Sequence, residues 1–147
     1  MNYMYLLLAF LTGLAITVQA GVNANLRQAM TNPVLAATIS FGSGFLALVM
    51  FLLASGSSVP AFATIREVSW WKWTGGLIGA IYVTTVIVSV PKIGTANLVS
   101  LSVAGQLIAA LILDHYGLLG FAHHPANAWR LLGVVLIVAG VLLVVRN

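Results

Sequence analysis

The sequence predicts an all-α membrane protein that crosses the bilayer with five transmembrane helices. Of its 147 residues, 61% are hydrophobic and only 5% are charged, whereas a soluble domain carries about 25% charged residues. The apolar residues also form five runs that reach or approach the ~20 residues a helix needs to cross the hydrocarbon core. The loops between the runs are too short to hold a soluble domain, so we expect residues 1–147 to form a single membrane domain.

The limits of the five spans follow from the ends of these apolar runs. The first run begins at Tyr3, and the second follows Asn32-Pro33, a pair typical of a helix start. The third follows a cluster of tryptophans, which favour the membrane interface, and is expected to stop at Pro91. The third, fourth and fifth runs are short. The predicted spans are 3–21, 33–54, 73–90, 96–113 and 129–145.

Composition argues against several classes of function. The chain has no cysteine, and its histidines, His115, His123 and His124, include two neighbours, so a metal site is not expected. The cations are scattered rather than clustered, which argues against nucleic-acid binding. No paired carboxylate, nucleophile–base set or phosphate-binding glycine motif is evident, so we expect neither an enzyme nor a bound cofactor.

The distribution of lysine and arginine gives no preferred orientation in the membrane. Five spans put three cations on each side: Arg66, Lys72 and Arg130 on the N-terminal side, and Arg27, Lys92 and Arg146 on the other. A bias in these residues normally decides which side is cytoplasmic. Its absence leaves two interpretations, insertion one way for other reasons or dual topology with copies paired antiparallel. The second predicts an antiparallel homodimer, a ten-helix unit with the inverted plan common in transporters.

Polar side chains inside the spans are the candidate binding residues. The stretch VQAGVNANLRQ, residues 18–28, closes the first span with amides and an arginine but no acid. Polar groups in hydrocarbon need partners, so they should face other helices or a wet cavity. They either hold helices together or bind a solute. The substrate-binding candidates are Gln19, Asn23, Arg27, Tyr82 and Gln106.

Two further groups have open roles. Asp114 follows the fourth span, where an acid is disfavoured by the helix dipole unless something compensates it. With His115 and Arg130 it forms either an interfacial ion pair or a gate. The fifth span is otherwise Leu, Val and Ile, and the face formed by Gly133, Ile137 and Gly140 is expected to serve helix packing or dimerisation.

The chain resembles the small five-helix, YdcZ-like branch of the drug/metabolite transporter superfamily. The resemblance lies in QAGVNANLRQ, NPVLAATISFGSGFLAL, WWKWTGGLIGAIYVTT, PKIGTAN, GQLIAALILDHYGLLG and RLLGVVLIVAGVLL. It implies a multi-pass protein of the bacterial plasma (inner) membrane, and inverted pairing of five-helix units. The related small multidrug exporters use a glutamate in their first helix to exchange protons for cationic drugs. The first span here has no acid, so we do not expect that mechanism.

Together these observations favour a transporter of small molecules that works by alternating access between two inverted subunits. An amide-lined pocket with Arg27 at its end suits a neutral to anionic substrate better than a cation. Besides the substrate, the expected partners are the lipid bilayer and a second copy of the chain. The alternatives are a dual-topology passive anion channel and an accessory membrane subunit that does not transport. A heterodimer with a paralogue is also left open.

Overall fold

The computed structural model describes residues 3–58 and 60–146, and all regular secondary structure in these residues is helical. The α-helices are α1 (Tyr3–Met30), α2 (Pro33–Ala54), α3 (Phe62–Arg66), α4 (Gly75–Ile93), α5 (Thr95–Tyr116) and α6 (Ala128–Arg146). Short 3₁₀ helices span Trp70–Thr74 and Leu118–Gly120. Five of the described helices, α1, α2, α4 with its preceding 3₁₀ turn, α5 and α6, are long and apolar enough to cross a membrane. The prediction of an all-α protein with five membrane helices is confirmed.

Four of the five membrane helices, α1, α4, α5 and α6, run further than the predicted spans. The first span was expected to end at Gly21, but α1 continues to Met30, because Ala, Leu, Arg, Gln and Met sustain a helix outside hydrocarbon as well as inside it. The third span was expected to stop at Pro91, yet α4 passes through that proline and ends at Ile93. Pro91 has no N–H to donate to the Ile87 carbonyl, and the helix runs only two residues past it. Gly94, at a φ of 80°, then ends α4.

The contacts along the chain define two compact units, Met1–Lys92 and Ile93–Asn147. In the first, α1 and α2 pack as an antiparallel hairpin. The Oδ1 atom of Asn32 accepts hydrogen bonds from the Val34 and Leu35 amides at 2.9 and 3.2 Å and so caps α2. The core of this unit consists of Leu26, Ala36, Ala37, Val83 and Ile87. Its alanines let the helix backbones approach closely, as small residues do in membrane proteins.

The second unit is built from α5 and α6, which pack along each other. Gly117 ends α5 in the left-handed conformation, with a φ of 60°, and its amide donates to the Leu113 carbonyl. Glycine adopts this conformation at little cost, which makes it the usual residue at a helix C-terminus. The chain then crosses to α6 through residues 117–127. Only Val141 of α6 is buried, so most of the apolar surface of this helix is available to lipid or another protein.

Candidate functional site

Three of the predicted binding residues share one face of α1. Gln19, Asn23 and Arg27 are spaced four residues apart within the uninterrupted helix, so each lies about 6 Å along the axis from the next. We call this set the α1 polar face.

Gln19 opens into a cavity of about 370 Å³ between α1 and α2. The remaining lining residues come from α2 and are Ser40, Phe41, Gly44, Phe45 and Leu48. The cavity is mainly apolar, and the Gln19 amide and the Ser40 hydroxyl are its polar side-chain groups. Gly44 contributes space, because a Cβ atom there would meet nothing within 4 Å. A cavity with apolar walls and a few polar groups is the usual form of a small-molecule site.

Asn23, one helical turn along, is buried to 3% of its exposed area. Its amide makes no hydrogen bond with the residues the structure describes. Since no fully enclosed side-chain nitrogen or oxygen among those residues lacks a partner, the small exposed part of Asn23 includes its amide. The amide of Asn25 differs, because it donates to the Gly21 carbonyl at 3.0 Å. Asn23 therefore keeps its hydrogen-bonding capacity free at a buried position.

Arg27 reaches a second cavity, of about 300 Å³, at the end of α1. Gln28, Thr31 and Pro91 complete its lining. The Arg27 side chain is half-buried, and its guanidinium forms no ion pair or hydrogen bond within the described part of the chain. Thr31 has a φ of 58°, a conformation that is strained for a β-branched residue. We call this space the Arg27 cavity.

The two other predicted binding residues line none of these cavities. Tyr82 lies on α4 in the first unit with 36% of its surface exposed, and it is absent from the walls of both. Gln106 lies exposed on α5 in the second unit and does not line the cavity described there. A role for these residues in binding stays a prediction.

Asp114 and Arg130 form an ion pair that joins the end of α5 to the start of α6. The Arg130 Nη2 atom lies 2.8 Å from the Asp114 Oδ2 atom. The same guanidinium donates to the His124 carbonyl at 2.9 Å, and the His124 amide donates to the Asp114 carbonyl at 2.8 Å. The loop between the two helices is thus held to both of them.

Two further hydrogen bonds hold the second half of this loop. The Ala126 amide donates to the His115 Nδ1 atom at 3.1 Å, which requires that nitrogen to be unprotonated. The Asn127 Oδ1 atom accepts from the Arg130 amide at 2.9 Å and so caps α6. All three residues of the predicted gate or ion pair therefore take part in one loop-fixing network.

Beside the ion pair, α5 and α6 enclose an apolar cavity of about 240 Å³. Gly133 and Ile137, two of the predicted dimer-packing residues, help to line it. Gly140, the third, does not. A Cβ atom at Gly133 or Gly140 would meet nothing within 4 Å, so both glycines leave room on α6 for another chain or for lipid.

Comparison with known proteins identifies the family. Residues 4–143 match the family described as "Putative inner membrane exporter, YdcZ". The chain belongs to this family. It is also 28% identical over 146 residues to the inner membrane protein YdcZ of Escherichia coli (strain K12), an alignment that covers 97% of this chain and 96% of that protein. No solved structure matches the chain. The resemblance read from the sequence motifs is confirmed.

Membership of the YdcZ family, together with the five apolar helices, makes this chain a multi-pass protein of the bacterial inner membrane. The prediction of its location is thereby confirmed. The family description refers to an exporter and not to an enzyme.

Several residues of these sites were not predicted from the sequence. Ser40 faces the same cavity as Gln19, and its spacing of four from Gly44 on α2 was an available signal. Asn127 precedes α6 as an asparagine cap, which is a recognisable helix-start signal. For the role of Pro91 in the Arg27 cavity no local signal exists, because it depends on how helices pack.

Proposed function

We propose that this protein transports small neutral or anionic molecules across the bacterial inner membrane. The observation that carries the proposal is the α1 polar face, on which Asn23, a largely buried residue with an unpartnered amide, lies one turn from each of two cavity-lining residues, Gln19 and Arg27. The Asn23 amide keeps some exposure and has no partner among the described residues, so it is free to donate to and accept from a polar solute that reaches it. Membership of a family of inner membrane exporters supports the same function.

The charge of the α1 polar face favours neutral or anionic solutes. α1 contains no acid and one cation, Arg27. Exchange of a cationic solute for protons requires a carboxylate that alternates between the two, and α1 has none. Amides accept and donate hydrogen bonds without selecting for charge, and a guanidinium attracts oxyanions.

Transport proceeds, in this proposal, by alternating access between two copies of the chain inserted in opposite directions. The equal numbers of lysine and arginine on the two sides support dual insertion. The open space at Gly133 and Gly140 on α6 supports contact with a second copy. The pair would form the inverted ten-helix plan of many transporters.

Labelling of a single cysteine tests the antiparallel pair. The chain has no cysteine of its own, so Ser57→Cys, in the loop after α2, provides a unique thiol. An impermeant thiol reagent added to intact cells and to inverted vesicles should each label part of the Ser57→Cys protein. Labelling from one side only would exclude dual topology.

Flux through purified protein in liposomes tests transport itself. Uptake of radiolabelled lactate, lactamide and alanine samples anionic, neutral and zwitterionic solutes. We expect saturable uptake of at least one, and Asn23→Leu should slow it by about tenfold, the effect of losing one well-placed hydrogen bond. Asn25→Leu is the matched control, because Asn25 bonds within its own helix, and its flux should equal that of the wild type. Uptake no faster than in protein-free liposomes, or equal flux in Asn23→Leu, contradicts the proposal.

A further inference from the structure

The Arg27 cavity places an unpartnered cation beside a partly open space. It holds about 300 Å³ and is lined by Arg27, Gln28, Thr31 and Pro91. Arg27 is half-buried as a residue, and its guanidinium has no ion pair with the described residues. A cation without a counter-ion beside free space is a site that attracts an anion.

The protein itself has little to offer Arg27 as a counter-ion. The chain contains two acids, Glu67 and Asp114, and neither forms an ion pair with Arg27. The Asp114 carboxylate is held by Arg130 at 2.8 Å. Arg66 and Lys72 lie over the aromatic rings of Phe62 and Trp71 at 5.1 and 5.7 Å. Arg27 has no such partner among the described residues.

The other walls of the cavity suit an oxyanion. Lys92 does not line the cavity, but it follows the lining residue Pro91 directly and is a second cation at this end of α4. The Gln28 amide is a further hydrogen-bond donor. The Thr31 hydroxyl donates to the Met30 carbonyl at 2.7 Å, so its position in the wall is fixed. No acid lines the space.

We propose that the Arg27 cavity binds the oxyanion group of a ligand, with the guanidinium of Arg27 as its main contact. The planar guanidinium offers two parallel N–H groups, which match the two oxygens of a carboxylate or phosphate. The inference rests on the proposed transport function in one respect: there the cavity is the anion subsite of the solute path. The same chemistry could be supplied by a free solute or by an anionic lipid headgroup.

Binding to purified protein in lipid nanodiscs tests the subsite and separates the two sources. In phosphatidylcholine nanodiscs, wild-type protein should bind lactate at least about tenfold more tightly than lactamide, its uncharged counterpart, because only lactate makes charge-assisted bonds. Native mass spectrometry of the protein in nanodiscs of mixed phosphatidylglycerol and phosphatidylcholine tests whether a lipid headgroup occupies the site. Preferential retention of phosphatidylglycerol, with displacement of lactate, would assign the site to a headgroup phosphate. Both results support the oxyanion subsite, and absence of both preferences in wild-type protein overturns it.

Variants connect the binding to Arg27. Arg27→Gln should abolish whichever preference the wild type shows, and Arg27→Lys should retain part of it, since charge is kept but the paired N–H groups are lost. Arg66→Gln is the matched control, because it removes a cation outside the cavity, and it should bind as the wild type does. Elution of each variant as a single species in size-exclusion chromatography confirms folding. An Arg27→Gln protein that folds and keeps the wild-type preference overturns the proposal.

The same proteins distinguish this inference from the transport proposal. If wild-type protein shows Arg27-dependent binding but carries no flux in liposomes, the subsite stands and transport fails. If flux depends on Asn23 while Arg27→Gln binds lactate and phosphatidylglycerol as the wild type does, transport stands and the subsite fails.

Discussion

The ion pair between Asp114 and Arg130 should stabilise the second unit by an amount that can be measured directly. The carboxylate and guanidinium are 2.8 Å apart, and their side chains are 31% and 37% exposed. A fully exposed pair contributes about 0.2–1 kcal/mol, and a hydrogen bond to a charged group contributes about 1.5–3 kcal/mol. Since this pair is about two-thirds shielded from solvent, we expect a coupling free energy of about 1–2 kcal/mol.

A double-mutant cycle isolates that coupling. Asp114→Asn, Arg130→Gln and the double variant are compared with the wild type by the free energy of unfolding in mixed micelles titrated with a denaturing detergent. Arg130→Gln should cost more than Asp114→Asn, because the guanidinium also donates to the His124 carbonyl at 2.9 Å. Residues that do not interact give additive effects within about 0.3–0.5 kcal/mol. A coupling free energy below that range would refute the reasoning.

For three further substitutions the backbone conformation decides whether the free energy of unfolding rises or falls, and each is measured by the same unfolding titration. Thr31→Gly should stabilise the protein by about 1 kcal/mol, because it relieves the left-handed conformation at a φ of 58°; an unchanged or lower stability would contradict the assigned strain. Asn32→Ala should cost about 1 kcal/mol by removing the cap of α2, whereas Asn32→Asp should cost much less, and equal losses would argue against capping. Gly117→Ala should cost about 1 kcal/mol because its φ is 60°, while Gly105→Ala, inside α5 with open space around it, should not destabilise; equal effects would count against the left-handed turn.

The five membrane helices could be predicted because a helix that crosses the bilayer needs a long run of apolar residues, which is visible in the sequence. The ends of the helices were harder to predict. The hydropathy of the first span falls at Gly21, but α1 continues to Met30 because helix propensity stays high up to the Asn32-Pro33 signal. Pro91 indicated the end of α4 only approximately, because the helix continues for two residues beyond the proline before Gly94 ends it.

Part of the candidate site could be predicted in the same way. The spacing of Gln19, Asn23 and Arg27 places them on one helix face by the geometry of the α-helix alone. Ser40 and Pro91 join the cavities through packing between helices, which no local pattern encodes. For Asp114 the sequence did not decide between a role in a gate and a role in an ion pair. The path of the loop decides it, because the loop turns through left-handed residues such as Gly117 and brings Arg130 to 2.8 Å from Asp114.

The proposed transport function requires the α1 polar face to line a water-filled solute path. The most direct test is the rate at which a charged, impermeant thiol reagent modifies Gln19→Cys and Val18→Cys in liposomes. The two positions lie at nearly the same depth, about 1.5 Å apart along the axis, but Gln19 opens into the α1–α2 cavity and Val18 is outside it. A thiol reacts as the thiolate, which needs water, so Gln19→Cys should react at least about tenfold faster than Val18→Cys. Equal rates at the two positions would contradict the claim.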